Sequence, residues 1–345
     1  DRALQTSLQT MRLESLYAQQ KWKDVVDASK ALKGKAGNRA VRVAFQGAFA
    51  MYNLEQFAEA STEFTSLKAG VKGTALAQQT HFLLGECLRK QNKQDAAIAE
   101  FLVAAKLTGN DAPQALFRAA FLQFQLKKFG DAEKNFEDFR VKFLGQVGPE
   151  LFNDARIFLG RCQMELKQFN RAEKVFADLA KEPKAPAKVF LWQGRMFQGQ
   201  KKFTEAVDVL DKALEKFAND ELRPDLLFDL ANNNLGLEKF KEAGDAFDDL
   251  RKEQPKFKEM AVLLHLNAVC KHNTKDFKTS LQLCGDFLKD HADHDRAADV
   301  AYLECENHFF LDDHKNAIAG FNKFVADNAA HPKANLAKMR IGQSE

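Results

Sequence analysis

The sequence has few cysteines and prolines and no long apolar run. Its 345 residues include five cysteines and seven prolines. The cysteines are odd in number and lack CxxC spacing, which indicates neither a disulfide framework nor a zinc knuckle. We expect buried free thiols, with a bridge between Cys270 and Cys284 left open because the two lie on consecutive predicted helices. No run reaches the roughly 18 apolar residues of a membrane span, so we predict none.

A charge excess of one sign and catalytic motifs are also lacking. Lys plus Arg number 51 and Asp plus Glu 48, and the two signs are interleaved along the chain. Nucleic-acid binding would need a basic stripe, and the sequence has none. It contains no phosphate-binding loop, dinucleotide fingerprint, HExxH or GxSxG motif. We therefore predict no enzymatic activity, no catalytic residue, no cofactor and no nucleic-acid partner.

Phenylalanine is abundant, with 31 residues against three tyrosines and two tryptophans, and it follows an internal repeat. The segment KKFGDAEKNF at 127–136 recurs as KQFNRAEKVF at 167–176. We take the first aromatic position of this segment as the anchor of each unit, and successive anchors lie 34 to 40 residues apart. The nine anchors are Trp22, Phe57, Gln94, Phe129, Phe169, Phe203, Phe240, Phe277 and His314.

Three further positions repeat with the anchor. The residue three after it is small in eight of nine units, and the residue nine before it is small in every unit from the second on. Such intervals place residues on one face of a helix, and all seven prolines fall between one unit's second helix and the next unit's first. Each unit is thus predicted to be a hairpin of an A helix, an inner turn and a B helix. Phe stands seven after the anchor at Phe64, Phe101, Phe136, Phe176, Phe247 and Phe321.

This pattern resembles the tetratricopeptide repeat, a helix-turn-helix unit of about 34 residues, along essentially the whole chain. Two departures are clear, because Lys, Glu or Asn mostly replaces the family's inner-turn Gly and the family's late Pro matches only at Pro255. The resemblance implies an all-α fold, a right-handed α-solenoid of about nine hairpins with part of a tenth, in one array over 1–345. The predicted repeats are 1–38, 40–72, 75–110, 113–145, 149–184, 186–220, 224–255, 258–293, 295–330 and a partial 332–345.

The two ends of the sequence lead to expectations about neighbouring residues or partners and about the compartment of the protein. Residues 340–343 echo the A-helix segments at 83–86 and 158–161, so we expect further residues beyond 345 or a partner docked at this end. The start at Asp1 without an initiator Met fits a trimmed chain or a mature protein whose signal peptide has been removed. The variable period and the Phe-rich B helices are similar to tetratricopeptide proteins of the bacterial cell envelope. We favour the periplasm or cell envelope of a bacterium over the cytoplasm.

The candidate binding residues lie on A helices, which in the resembled family line a concave groove. Two A helices carry rings twelve, eight and five residues before the anchor, and such a groove would accept an apolar helix or an extended segment. The alternative is that neighbouring units bury these rings as core. The two sets are Phe45, Phe49 and Tyr52, and Phe117, Phe121 and Phe124.

Three consecutive units carry polar residues eight before the anchor, namely Arg161, Arg195 and Asn232. A guanidinium can grip a carboxylate with two hydrogen bonds, so these residues could bind a partner's carboxylates or its backbone. The alternative is pairing with Asp or Glu of the same chain.

We therefore predict a noncatalytic scaffold or adaptor that presents a concave groove to a protein partner. One alternative is a structural subunit of a larger assembly, contacting neighbours through its edges and ends. Another is metal binding in the His- and Cys-rich C-terminal third, where His265 with His272, or the segment HADHD at 291–295, offers ligands. Neither set is complete by itself, and we assign no metal site.

Overall fold

The computed structural model describes residues 2–345, with side chains from Leu4 onward. Over this range the chain forms nineteen α-helices and one short 3-10 turn, and no strand. The fold is an α-solenoid of helical hairpins, as predicted. The helices are α1 (Arg2–Ala18), α2 (Trp22–Leu32), α3 (Ala40–Asn53), α4 (Phe57–Leu67), α5 (Leu76–Lys90), α6 (Gln94–Ala104), α7 (Ala112–Gln125), α8 (Phe129–Lys142), α9 (Pro149–Glu165), α10 (Phe169–Ala180), α11 (Ala187–Gly199), α12 (Phe203–Lys216), α13 (Arg223–Gly236), α14 (Phe240–Glu253), α15 (Met260–Asn273), α16 (Phe277–Asp290), α17 (Ala297–Phe310), α18 (His314–Asp327) and α19 (Ala334–Ser344).

The chain divides into two compact units, one up to Val175 and one from Phe176 to Glu345. Odd-numbered helices are A helices and even-numbered helices are B helices. Every anchor is the first residue of a B helix. In the first unit α5 packs on α6 and α6 on α7, and in the second α13 packs on α14 and α14 on α15. Packing between sequential neighbours is what a stack of hairpins requires.

Each inner turn contains a residue in the left-handed conformation, two before the anchor. Its N–H donates to the carbonyl three residues back and the next N–H to the carbonyl five back, as in Lys201 N to Gln198 O (2.9 Å) and Lys202 N to Phe197 O (3.0 Å). These bonds form a Schellman motif, which satisfies the last carbonyls of the A helix. The nine residues, with φ between 56° and 63°, are Gln20, Glu55, Asn92, Lys127, Lys167, Lys201, Glu238, Lys275 and Asp312.

Within a hairpin, the small residue nine before the anchor allows the two helices to approach closely. A Cβ added at Gly85 would lie 2.8 Å from the ring of Phe101, and one added at Gly194 would lie 2.9 Å from Leu210. Phe101 and Leu210 each stand seven after an anchor and are fully buried. The two repeating positions are therefore the two sides of one contact.

A second repeating contact joins B helices to the A helices that follow them, as between α2 and α3 or α16 and α17, and we call it the seam. Its B side is the residue ten after the anchor, which is apolar in all nine units and never more than 6% exposed. Its A side is the residue fourteen before the next anchor and, in α19 after the last anchor, Ala337, and none of these residues is more than 3% exposed. Leu32 packs in one cluster with Val43, and Phe287 in one with Val300. The B side comprises Leu32, Leu67, Ala104, Phe139, Leu179, Ala213, Leu250, Phe287 and Phe324, and the A side Val43, Thr80, Ala115, Ala155, Val189, Leu226, Leu263, Val300 and Ala337.

Candidate functional site

The three rings of α7 form a cluster with Phe158 of α9. Phe117 and Phe121 stack with their centroids 6.2 Å apart, and Phe121 and Phe124 contact Phe158 at 5.1 and 5.3 Å. Phe158 in turn stacks on the fully buried Phe136 of α8, at 5.6 Å. The predicted α7 rings are half-buried, so the cluster runs without interruption from the core to the surface of the first unit.

A cleft of about 590 Å³ opens beside this cluster, and we call it the α7–α9 cleft. The guanidinium of Arg161 lies 4.6 Å from the ring centroids of both Phe124 and Phe158. This cation–π arrangement fixes the arginine at the edge of an apolar floor. The floor consists of Phe121, Phe124, Phe129 and Phe158, and the rim of Gln125, Lys127, Arg161 and Glu165.

The rings of α3 lie deeper in the fold. Phe45 is buried and meets Phe64 edge to face at 5.9 Å, so it belongs to the core as the alternative interpretation held. Phe49 stacks on Phe45 and contacts the rings of Tyr17 and Trp22 at 5.6 and 5.7 Å. Phe49 and Tyr52 remain half-buried. The α3 set is thus largely internal.

Rings five before the anchor also serve the inner turn. Tyr52 packs on Phe57 at 5.8 Å and Phe124 on Phe129 at 5.4 Å, in both cases an A-helix ring against the anchor that opens the B helix. In each pair the two rings contact each other across the inner turn, one before and one after its left-handed residue in sequence. The same pairing occurs at Tyr17–Trp22, His272–Phe277 and Phe309–His314.

Of the three polar candidates, Arg161 belongs to the first unit, and Arg195 and Asn232 belong to the second. Arg195 Nε lies 2.5 Å from Asp229 Oδ2, and its guanidinium lies 4.9 Å from the ring of Trp192. Burial raises the pKa of the Asp229 carboxyl, and Arg195 opposes that shift. Asn232 donates its side-chain amide to the carbonyl of Phe228 at 2.8 Å. Arg195 is therefore paired within its own chain, which is the alternative stated above.

Arg195 and Asp229 belong to a wider set of contacts, which we call the inner ladder. In it the residue eight before one anchor meets the residue eleven before the next, on consecutive A helices. A further member is the ion pair of Glu86 Oε1 and Arg118 Nε at 3.0 Å, and an equivalent pair joins α17 to α19 after the last anchor, Glu306 Oε1 to Arg340 Nε at 2.7 Å. The ring pair of Phe121 and Phe158 occupies the same two positions. The position eleven before the anchor, which includes Phe158 and Arg118, is absent from the sequence-based candidates.

The histidines and cysteines do not converge on a metal site in the described part of the chain. No group of three or more His, Cys, Asp or Glu side chains is placed there to hold an ion. His265 Nδ1 lies 3.1 Å from an Arg296 guanidinium nitrogen, and burial with this cation lowers its pKa to about 4. His272 Nδ1 lies 2.8 Å from Asn307 Oδ1. All five cysteines are buried and free, so Cys270 and Cys284 are not bridged.

No helix among residues 2–345 combines the length and the apolar character needed to cross a bilayer.

Two family models match parts of the sequence. The tetratricopeptide-repeat model matches residues 188–220. The model described as T7SS, ESX-1 secretion system protein EccA1, N-terminal domain, matches residues 4–131. No curated protein matches the chain.

Solved structures of low sequence identity share the fold. The C-terminal part of a TPR repeat-containing protein from Cytophaga hutchinsonii is 17% identical, covers 74% of this chain and 98% of its own, and gives a TM-score of 0.60. The apo form of RapI is 12% identical over 98% of both chains, with a TM-score of 0.58. The apo quorum sensor NprR from B. thuringiensis is 13% identical, covers 94% of this chain and 99% of its own, and gives 0.51.

Proposed function

Because this chain is a tetratricopeptide-repeat protein, we propose that it is a noncatalytic scaffold that binds a protein partner in the α7–α9 cleft. The observation that carries the proposal is the set of half-buried rings on the floor of that cleft. Tetratricopeptide arrays expose long surfaces without enclosing a pocket, which suits a peptide or a helix as the occupant.

The chemistry of the cleft specifies the occupant further. Phe121, Phe124 and Phe158 offer ring faces and edges, so a large apolar side chain would gain contacts on several sides. Complete burial of such a side chain is worth about 1.5–3 kcal/mol. The rim residues Gln125, Lys127 and Glu165 supply donors and acceptors for the backbone beside that anchor. We expect one Leu or aromatic anchor on a helix or an extended segment.

Photo-crosslinking tests the site and identifies the partner together. A benzoylphenylalanine at the exposed rim position Gln125 should capture a protein in cells, whereas the same group at the exposed Leu144, outside the cleft, should not. The affinity for the captured partner is then measured with two serine variants. Phe121→Ser should weaken it at least tenfold, and the matched variant Leu144→Ser should leave it unchanged.

Phe121 is the appropriate residue for this test because Phe117 contacts the buried Phe136 and Phe139 and its loss would disturb the core. Circular dichroism and urea unfolding of Phe121→Ser establish that the variant is folded. A folded Phe121→Ser protein that binds the partner with wild-type affinity would exclude the α7–α9 cleft as the binding site.

A second candidate is a structural subunit of a larger assembly, which we favour next because Leu336 and Met339 of α19 are exposed. The match of residues 4–131 to the model of an ESX-1 secretion-system protein supports membership of a larger assembly. Crosslinks formed from Met339 but not from Gln125 would favour this candidate. Fractionation of cells into cytoplasm, periplasm and membrane tests the envelope location, which a wholly cytoplasmic protein would contradict.

A further inference from the structure

The last residue of each A helix, four before the anchor, is exposed in all nine hairpins. It is polar or small in eight of them, and a large apolar side chain stands there only at Phe310, which is 42% exposed. The exposure of Phe310 is therefore a property of its place in the repeat and not of the ends of the chain. The nine residues are Ala18, Asn53, Lys90, Gln125, Glu165, Gly199, Gly236, Asn273 and Phe310.

Phe310 belongs to a packed group of rings in the second unit. It stacks on Phe277 with the centroids 4.9 Å apart, and His272 meets both rings edge to face at 5.3 and 5.5 Å. The guanidinium of Arg340, which is paired with Glu306, lies 5.3 Å from the centroid of Phe310. These contacts fix the ring although much of it is exposed. We call His272, Phe277 and Phe310 the ring site.

A buried chain of hydrogen bonds determines which nitrogen of His272 carries the proton. The carbonyl of Ala268 can only accept, so the Ser280 hydroxyl donates to it at 2.8 Å. Ser280 Oγ then accepts from Asn307 Nδ2 at 2.8 Å, and Asn307 Oδ1 lies 2.8 Å from His272 Nδ1. Because Oδ1 is an acceptor, Nδ1 carries the hydrogen. The neutral imidazole therefore has its lone pair at Nε2.

The Nε2 atom of His272 is available to a ligand. Within residues 2–345 it makes no hydrogen bond, and it is not buried. The ring site thus combines exposed ring surface with one hydrogen-bond acceptor. An aromatic side chain with its own donor satisfies both features, because its ring contacts Phe310 and its O–H or N–H donates to Nε2. Tyrosine and tryptophan are the two side chains of this kind.

We propose that the ring site binds a tyrosine or tryptophan side chain of a partner protein. A second copy of the chain does not supply this side chain, because none of its five such residues is exposed. The ring site and the α7–α9 cleft have no residue in common, so this inference does not depend on the proposed scaffold function. The five residues are Tyr17, Trp22, Tyr52, Trp192 and Tyr302.

Short peptides serve as the probes. Acetylated Gly-Gly-Tyr-Gly-Gly amide, and its counterparts with Trp or Phe at the centre, are titrated at pH 8 into protein whose eight histidines are labelled for nitrogen NMR. The free protein should show His272 protonated at Nδ1. The Tyr and Trp peptides should shift the Nε2 signal of His272 saturably. They should bind about fivefold more tightly than the Phe peptide, which is the effect of one net hydrogen bond.

Three variants separate the two features of the site. His272→Asn keeps an N–H donor for Asn307 but removes Nε2, so it should bind the Tyr and Phe peptides equally. Phe310→Asn introduces the residue that the repeat has at Asn273, and it should weaken binding of the Tyr peptide about tenfold because the ring surface is lost. The matched variant Val103→Asn, at a 41% exposed position of α6, should leave binding unchanged. Circular dichroism and urea unfolding establish that each variant is folded.

Four results would overturn the proposal. The first is no saturable binding of the Tyr peptide, or equal binding to the wild-type and Phe310→Asn proteins. The second is equal or tighter binding of the Phe peptide by the wild-type protein, because Nε2 would then take no part. The third is tighter binding of p-cresol than of the Tyr peptide, because the occupant would then be a small phenol. The fourth is self-association in sedimentation velocity that Phe310→Asn abolishes, because the occupant would then be a second copy.

Discussion

Replacing the left-handed turn residues of the second unit with glycine should stabilise that unit. Lys201, Glu238 and Lys275 have φ of 59°, 57° and 63°, and their side chains are exposed. A Cβ in this conformation costs about 1–2 kcal/mol, and glycine returns about 0.5–1 kcal/mol of that as entropy of the unfolded chain. The balance is roughly 0.5–1 kcal/mol of added stability for each of Lys201→Gly, Glu238→Gly and Lys275→Gly.

The three sites lie on separate hairpins, so their effects should add to about 1.5–3 kcal/mol in the triple variant. Urea unfolding is followed by the fluorescence of Trp192, the only tryptophan of the second unit, in a Trp22→Phe background. With a denaturant dependence of about 2 kcal/mol per molar, each glycine should raise the unfolding midpoint by about 0.3–0.5 M.

The controls separate backbone conformation from side-chain chemistry. Lys201→Ala removes the charge but keeps the Cβ, so it should gain nothing, and Lys201→Asn should fall between Ala and Gly because Asn tolerates positive φ. In the first unit, Asn92→Gly should gain less than Lys201→Gly for the same reason. A Lys201→Gly protein no more stable than Lys201→Ala would refute the reasoning that the turn is strained.

Three further predictions concern caps, a buried ion pair and the thiols. Asp276 accepts a hydrogen bond from the backbone N–H of Thr279 at the start of α16. Asp276→Ala should lower the free energy of unfolding, measured with urea, by about 1 kcal/mol. Lys239→Ala, at the equivalent position of α14 where no side chain caps the helix, should leave that free energy unchanged. Arg195→Ala leaves the buried Asp229 carboxylate without its cation and should cost about 3 kcal/mol at pH 7. Loss of the Arg195 guanidinium raises the pKa of Asp229 further, so the free-energy cost of Arg195→Ala should shrink as the pH falls and the folded Asp229 carboxyl takes up a proton. Adding Asp229→Asn to this variant should remove the pH dependence. Burial raises the pKa of all five cysteine thiols to about 12. Ellman's reagent at pH 8 should therefore react slowly with the native protein, and it should react with five thiols once the protein is unfolded in denaturant. Fast labelling of the native protein would contradict this prediction.

The helices of this protein could be predicted from its sequence because their signals are local and repeated. Each anchor marks the first residue of a B helix, and the small residue nine before it faces the large one seven after it. The seam carries an equally regular signal, an apolar residue ten after every anchor, from Leu32 to Phe324. What repeats in residue type across nine units reports packing between sequential neighbours.

The inner ladder could not be predicted in this way because its partners are complementary instead of identical. Position eleven before the anchor is Arg118, Phe158 or Asp229 in different units, and each suits whatever stands eight before the previous anchor. Recurring residue types therefore do not indicate Phe158, although it is the centre of the ring cluster of α7 and α9. The inner turns follow from the repeat, but their left-handed residues could not be predicted, because backbone hydrogen bonds hold this conformation where the family's glycine is missing.

The inner ladder also restricts the order in which hairpins can be joined. Glu86 faces Arg118, Arg195 faces Asp229 and Glu306 faces Arg340, so α5, α11 and α17 each carry a charge that matches the next A helix. Excising the hairpin of α13 and α14 would place Leu266 next after Arg195, eleven before the following anchor, and leave a cation beside an aliphatic side chain. Arrays of identical repeats can be lengthened, shortened or shuffled freely, whereas in this chain the three ion pairs determine which A helix can follow α5, α11 and α17 without leaving a charge unpaired.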